Sequence, residues 1–377
     1  MDFALSEQEA MIQNLARDFA DKTVRPAAMQ IDRDCEFPFD LAKEMGSLGY
    51  FGLPYPPEYG GAGAGYIGYA LVIEQLCRVS MVTGAIIAVN GLAEEAIFRH
   101  GSEEQKQRFL VPLAQGTTLS SFAFTEPATG SDPRAVQSRA VPDDDYYLIT
   151  GQKQFTSLTP ASRMTLVFAK DETDRVSAFI VETPAPGYNV RHACETMGVR
   201  GLGPSVIYLD GIRVPRDNLL GEKSQGFRIM VEAISLGKLG VAAEALGVGQ
   251  GALELSLDYA QDRQAYGKPI AHLQSIQWLI AEMASRIEAS RWLTYRTAFL
   301  RDQGASINRE AAIAKLFTSQ AAVDVTRMAM QVHGAYGYMK DMEIERLYRD
   351  AKLTEIYEGI SEIQRVIIAD DLFKEGA

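Results

Sequence analysis

Apolar positions near the start of the chain recur at three- and four-residue steps. Met11, Ile12, Leu15 and Phe19 share one helical face, and Ser6-Glu7-Gln8-Glu9 ahead of them reads as a capping box. The same spacing predicts helices over 40–48, 67–78, 84–100 and 103–114, the last capped by Ser102 and stopped by Gly116. Between about 117 and 218 the pattern turns to short β-rich runs, at 146–150, 164–169, 176–183 and 206–209, separated by Asp, Gly and Pro clusters. From Gly226 helical spacing returns in long stretches at 233–263, 273–303, 309–333 and 361–373. Leu239, Ala242, Leu246, Leu253 and Leu257 follow one another at steps of three, four or seven, which favours long antiparallel helices in a four-helix bundle. The small residues of 241–252 let such helices approach closely, and the bundle is also expected to carry a subunit interface. The expected fold is mainly α with a central β domain: a helical domain over 1–117, a β-barrel or sandwich over 118–220, and a helical bundle over 221–377.

Length and composition narrow the function. A chain of 377 residues holds two or three domains with their own cores. Cys35, Cys77 and Cys194 lie far apart and match no CxxC or metal spacing, which points to a reducing, cytoplasmic home. The four histidines, His100, His192, His272 and His333, have unrelated spacings, so no metal site is expected. A net charge of −12 argues against nucleic acid as a partner. The chain has no run of 18 apolar residues, and Met1-Asp2-Phe3-Ala4-Leu5-Ser6 lacks a basic region followed by an apolar one, so neither a membrane span nor a targeting segment is expected.

Glycine clusters do not make this a nucleotide-loop protein. Gly60-Gly61-Ala62-Gly63 follows Pro56-Pro57-Glu58 rather than a strand and lacks a following Gly-Lys-Ser/Thr. Gly247, Gly249 and Gly251 fall inside a helical pattern and open no βαβ unit.

Two distant segments carry the chemistry. In 122–132 (FAFTEPATGSD), Pro127 and Gly130 shape a turn that offers backbone amides and the hydroxyls of Thr125 and Ser131 to an electron-rich ring. In 355–365 (EIYEGISEIQR), the carboxylate of Glu358 stands beside Gly359, where backbone closely approaches a ligand. A Glu near a chain end is ordinarily a solvated charge, but this one follows Leu353, Ile356 and Tyr357, and an apolar setting raises a carboxyl pKa and strengthens it as a base.

Both segments, in this order, resemble the acyl-CoA dehydrogenase family, and the resemblance runs nearly end to end. It implies FAD as cofactor and α,β-dehydrogenation of an acyl-CoA, with Glu358 removing the α-proton while the β-hydrogen leaves as hydride to flavin N5. The Glu358 amide would help polarise the thioester carbonyl. It also implies that Phe122, Phe124, Thr125, Gly130 and Ser131 meet the cofactor, Ser131 touching the thioester as well. The stretch 151–157 (GQKQFTS) matches a second flavin segment, with Phe155 where the family has Trp and Ser157 where it has Thr. The stretch 259–270 (YAQDRQAYGKPI) with Gln274 resembles the segment that holds the FAD pyrophosphate and ribose across a subunit contact, with Arg263 on phosphate. Gln331 and Gly334 correspond to an adenosine-side segment. The resemblance further implies a homotetramer built as a dimer of dimers, and electron-transferring flavoprotein as acceptor.

Departures from the family pattern fall around the site. Where some relatives carry the base on a bundle helix, this chain has Gly237 and Lys238, so no second carboxylate competes there. Ser235 and Lys238 replace an acidic residue and Arg near the pantetheine channel, with Gly359 also expected on the substrate. Ile360 and Glu362 replace Thr and Gln at flavin contacts, so either FAD is held differently or Glu362 points away. The stretch 84–92 is mostly neutral and apolar, and Thr83 stands where relatives of dicarboxylyl thioesters have Arg, which favours a neutral acyl tail. The competing readings are a carrier-protein thioester as substrate, a flavin enzyme of this fold with oxidase, monooxygenase or lyase chemistry, and a scaffold without flavin.

Overall fold

The computed structural model of the chain describes residues 4–192 and 195–375; Met1, Asp2, Phe3 and Cys194 lie outside the described residues. Helix α1 (Glu7–Phe19) starts on the expected capping box, with Ser6 Oγ 3.3 Å from the Glu9 amide and Glu9 Oε2 2.7 Å from the Ser6 amide. It runs through one π turn into α2 (Arg25–Asp34). That second helix was not legible because Pro26 reads as a breaker, whereas at the first helical turn proline needs no donor. Helices α3 (Phe39–Ser47), α4 (Gly65–Cys77) and α5 (Met81–His100) follow, then α6 (Glu103–Gln105) and α7 (Val111–Ala114) joined by a π turn, with Ser102 as cap. Helix α5 is long and apolar enough to cross a bilayer by length and composition, with a mean hydropathy of 1.4, but 94% of that window is buried inside the protein. It is a core helix, packed on the bundle and on β1.

The middle of the chain folds into one eight-stranded sheet. Its strands are β1 (Leu119–Ala123), β2 (Arg139–Asp143), β3 (Tyr146–Thr156), β4 (Ser162–Lys170), β5 (Val176–Glu182), β6 (Tyr188–His192), β7 (Ser205–Pro215) and β8 (Leu219–Leu220). The order is β6-β7-β3-β2-β4-β5-β8, and β1 pairs with β4 in parallel. Strands β4 and β5 each bury six consecutive residues, as strands covered on both faces do. The strand ends that matter for function are those of β1, which leads into 122–132, and of β3, which ends at Phe155 and Thr156.

The last part holds α8 (Gly226–Asp262), the small hairpin β9 (Gln264–Ala265) and β10 (Lys268–Pro269), α9 (Gln274–Asp302), α10 (Asn308–His333), α11 (Glu343–Leu353) and α12 (Ser361–Glu375). Helix α8 is 37 residues long and touches α4, α5, α9 and α10, so it belongs to the bundle and also carries the first helices. Glycine permits that double contact. A Cβ on Gly247 would lie 2.3 Å from the Glu74 carbonyl oxygen, and one on Gly251 only 2.1 Å from that of Arg78. Gly251→Ala is therefore expected to lower stability by about 1–3 kcal/mol through overpacking, net of a helix-propensity gain of about 1 kcal/mol. The check is the urea midpoint, and a midpoint at or above that of the parent would show that α8 and α4 separate freely.

Candidate active site

Helix α11 ends at Leu353 and α12 begins at Ser361, and Glu358 sits in the turn between them. Glu358 has φ 52° and Gly359 φ 88°, two successive left-handed residues, the first of them costly for a side chain with a Cβ. Side chains from two helices hold this conformation. The Lys315 ammonium on α10 donates to the Gly359 carbonyl, and Gln364 Nε2 on α12 donates to the carbonyls of Glu358 at 3.2 Å and Gly359 at 2.8 Å. Lys315 and Gln364 are both fully buried.

The turn aims the Glu358 carboxyl at α8. A Cβ on Gly237 would lie 2.8 Å from Glu358 Oε2 and 2.8 Å from Leu92 Cδ2, so only glycine leaves room for the acid. Burial pushes this carboxyl up to about 7, against the opposing pull of Lys315 and Lys238. Lys238, 2% exposed, is itself lowered to about 8 by burial, with the Glu358 charge opposing, and its ammonium donates to Asn308 Oδ1 at 2.8 Å. Ser235 Oγ reaches the same Asn308 oxygen at 3.2 Å and the Val231 carbonyl at 2.8 Å. Glu358, Gly359, Ser235 and Lys238, four residues singled out from the sequence, thus meet at one place. Lys315, Gln364 and Asn308 were missed. Lys315 had a signal: it lies four residues from Ala311 and three from Thr318, on the buried stripe of α10, where a lysine is out of pattern. Asn308 and Gln364 act through tertiary contacts that no local pattern records.

The turn after β1 is built around a buried ion pair. Glu126 and Thr129 exchange backbone hydrogen bonds at 3.0 Å each way, and the Glu126 carboxylate accepts from Lys153 Nζ at 2.6 Å and from the amides of Gln137 and Ser138. Burial alone would raise the Glu126 pKa, but the Lys153 charge and these donors hold it below the usual carboxylate range. Lys153 also binds the carbonyls of Phe124 and Phe168, and burial lowers it to about 8 with Glu126 opposing. The Gln154 amide donates to the Thr125 carbonyl at 2.8 Å, which joins the turn to the end of β3. There Phe155 adopts φ 54° and leaves its ring 61% exposed. Ser157 is tied to β1 through its carbonyl, which accepts from Ser121 Oγ at 2.9 Å.

The remaining members of this set divide by exposure. Gly130 and Ser131 are exposed, and Thr125, Ser157 and Ile360 are half-buried. The rings of Phe122 and Phe124 pack on Phe168 at 5.0 and 5.9 Å, so these two serve the core and leave only backbone for a ligand. Glu362 is exposed in the first turn of α12, where an acid favours the helix dipole. Tyr357 Oη and Ser361 Oγ, flanking the Glu358 turn, are buried with no hydrogen-bond partner among the described residues. An exposed aromatic face and orphaned hydroxyls fit a flat heteroaromatic group. Among the described residues, no set of three His, Cys, Asp or Glu is placed to hold a metal.

Arg263, Gln274, Gln331 and Gly334 lie elsewhere. Arg263 is the C-cap of α8, 5.7 Å from the Tyr336 ring, and Tyr259 stacks on His333 at 4.4 Å, which joins the ends of α8 and α10. Gln274 opens α9 and Gln331 sits in the last turn of α10, beside Gly334; all four are exposed. From Ser235 to Arg263 is 28 residues of helix, about 42 Å at 1.5 Å per residue. Within one chain the two sets are at opposite ends of the bundle.

Three family models match the chain in order: the acyl-CoA dehydrogenase N-terminal domain over residues 6–117, the middle domain over 121–212 and the C-terminal domain over 224–373. A probable acyl-CoA dehydrogenase of Bacillus subtilis strain 168 is 41% identical over 380 residues, covering 99% of this chain and all of that one. Butyryl-CoA dehydrogenase from Megasphaera elsdenii superposes with a TM-score of 0.97 at 34% identity, over 99% of this chain and 100% of that chain. A chain from a structure of the electron transferring flavoprotein of Acidaminococcus fermentans gives a TM-score of 0.97 at 37% identity, over 99% of both. A likeness that spans all three domains and leaves almost no residue of either partner uncovered settles the matter: the chain belongs to the acyl-CoA dehydrogenase family of FAD-dependent oxidoreductases.

Proposed function

We propose that the protein dehydrogenates an acyl-CoA between its α and β carbons, with Glu358 as the base. The observation that carries this reading is the half-buried Glu358, whose carboxyl lies against Gly237 and is raised to about 7. A carboxylate of that basicity takes an α-proton at neutral pH far better than an ordinary one. The β-hydrogen would leave as hydride, for which bound FAD would supply the acceptor. Lys315 and Gln364 are positioning residues: by fixing the carbonyls of 358 and 359 they direct the Glu358 and Gly359 amides, and the carboxyl, toward one space. Thr125, Gly130, Ser131, Phe155, Ser157 and Ile360 would hold the flavin end of the cofactor, with Phe122 and Phe124 contributing backbone and Glu362 left in solvent. Ser235 and Lys238, joined through Asn308, would face the incoming thioester arm, with Gly359 and Ser131 beside the reacting carbons.

Arg263, Gln274, Gln331 and Gly334 would hold the pyrophosphate and adenosine of the FAD bound mainly by a second copy. The distance of about 42 Å from Ser235 to Arg263 along α8 supports this. So do the exposed apolar side chains near that end: Tyr266 at 95%, Tyr338 at 84% and Trp278 at 65%. Phe373 on α12, 79% exposed, offers a further contact for a dimer of dimers. Domain limits at 117/118 and 220/221, a cytoplasmic setting in keeping with free Cys35 and Cys77, and electron-transferring flavoprotein as acceptor complete the reading. The acceptor is supported by the close match to a chain from such a flavoprotein's structure.

Two outcomes test the base. Glu358→Gln should keep the yellow cofactor while anaerobic bleaching of the flavin by an acyl-CoA substrate slows at least ~100-fold, the lower range for a general base; undiminished bleaching would refute the assignment. Because only the ionised carboxylate accepts a proton, the bleaching rate at limiting thioester should climb as pH rises and level off above about 7. A profile already flat at pH 5 would mean that the acid is not perturbed, or not the base.

A further inference from the structure

Beyond the base, the contact between α8 and the first helices hides two polar groups that nothing in the chain satisfies. Counting along α8 from Gly237, which faces the Glu358 carboxyl, the same helical face presents Gly240 three residues on and Glu244 seven residues on. A Cβ on Gly240 would lie 3.0 Å from both the Tyr69 hydroxyl of α4 and the Ala88 Cβ of α5. Glu244 is fully buried, and both of its carboxyl oxygens lack a hydrogen-bond partner among the described residues. The Tyr69 hydroxyl, in a residue 1% exposed, is likewise without one. Glu244 is the foremost charge acting on Tyr69, and the charges that act on Glu244 are Glu358 and Lys315, so the two orphans share the surroundings of the base.

Buried polar groups are paired in folded proteins, and a native chain that leaves two together unpaired has a reason for it. Here the reason lies on the line from Glu358 along α8, where an acyl chain with its α-carbon at the base would extend. We propose that Tyr69 and Glu244 form the far end of the acyl subsite and select thioesters whose short acyl chain ends in an uncharged hydrogen-bonding group, a hydroxyl or a primary amide. The position rests on the dehydrogenation reading only in that it sets the α-carbon at Glu358. The class of tail follows from the groups present. Burial, aided by the Glu358 charge and opposed by that of Lys315, raises the Glu244 carboxyl well above the ordinary range and favours the neutral form, which donates and accepts as the phenol does. A tail that also donates and accepts completes both. A carboxylate tail would be a third acid in a buried space, without the Arg that would neutralise it, and a methyl tail would leave both groups unpaired.

Binding to the flavin-loaded Glu358→Gln protein separates this proposal from the chemistry, because turnover in that variant is expected to be slowed at least ~100-fold. Calorimetric affinities are compared for pentanoyl-CoA, its terminally hydroxylated counterpart and glutaryl-CoA, with and without Glu244→Leu. The hydroxylated thioester should bind about five- to tenfold more tightly than pentanoyl-CoA, the gain of one or two net hydrogen bonds, and Glu244→Leu should erase or invert that ratio. Tyr69→Phe, which removes a single oxygen, should reduce it severalfold and provides the test if Glu244→Leu does not fold. Equal affinities, a preference for glutaryl-CoA, or a ratio untouched by either variant would overturn the proposal. Failure of the dehydrogenation reading shows separately, as a wild-type flavin that none of the three bleaches.

Discussion

The molecule depends on the bare face of one helix. Helix α8 meets α4 and α5 through Gly237, Gly240, Gly247 and Gly251, and at three of these a Cβ would come within 3 Å of backbone or of the Glu358 carboxyl. Glycine in a helix interior costs about 1 kcal/mol each relative to alanine, so four of them are a substantial expense. The return is twofold. Backbone-to-backbone approach at Gly247 and Gly251 locks the first helices onto the bundle, and the same bareness at Gly237 leaves the space into which the turn after α11 pushes a carboxyl. Overall packing and the site are consequences of one surface.

That carboxyl must be held there against its own backbone. Glu358 in the left-handed region is strained, and a strained turn persists only where its surroundings over-determine it. Two buried donors do so: Lys315 and Gln364 share the Gly359 carbonyl, and Gln364 also binds that of Glu358. A similar construction is found after β1, where the buried Glu126–Lys153 pair ties the turn at Glu126 to the end of β3 that carries Phe155. In both places the groups doing the holding are charged or polar and lie in the interior, while the groups presented to ligands lie on strained or exposed backbone.

This division explains what was legible in the sequence. Elements with a strong local signal appear where expected: the Ser6 and Ser102 caps, the α8, α9 and α10 helices and the cores of β3, β4, β5 and β7. Strand β1 (LSSFA) escaped because it buries a serine on each of its faces, Ser120 satisfied by Asn90 and Ser121 by Ser157 and Ser162, which no period-two pattern conveys. Glu358 stood out through its apolar neighbours and Gly359. Its supports did not, since Lys315, Asn308 and Gln364 matter only for what they meet across tens to hundreds of residues. Phe122 and Phe124 illustrate the converse: a motif names positions, but the direction of each ring is set by Phe168, a strand away.

The electrostatics of Glu358 turn on what does not touch it. Two buried lysines act on Glu358, and a direct ion pair with either would favour the ionised form and drive its pKa below the ordinary 4.5. Instead the Lys238 ammonium is spent on Asn308 and that of Lys315 on the Gly359 carbonyl, and among the described residues Glu358 forms no salt bridge. The cations therefore act at a distance, through space, while desolvation acts on the carboxyl directly and prevails. By accepting from Lys238, Asn308 keeps a nearby positive charge off the Glu358 carboxyl. Lysine rather than arginine suits that arrangement, because a compact ammonium is satisfied by one amide oxygen, whereas a guanidinium fork would present further donors and seek the nearest carboxylate.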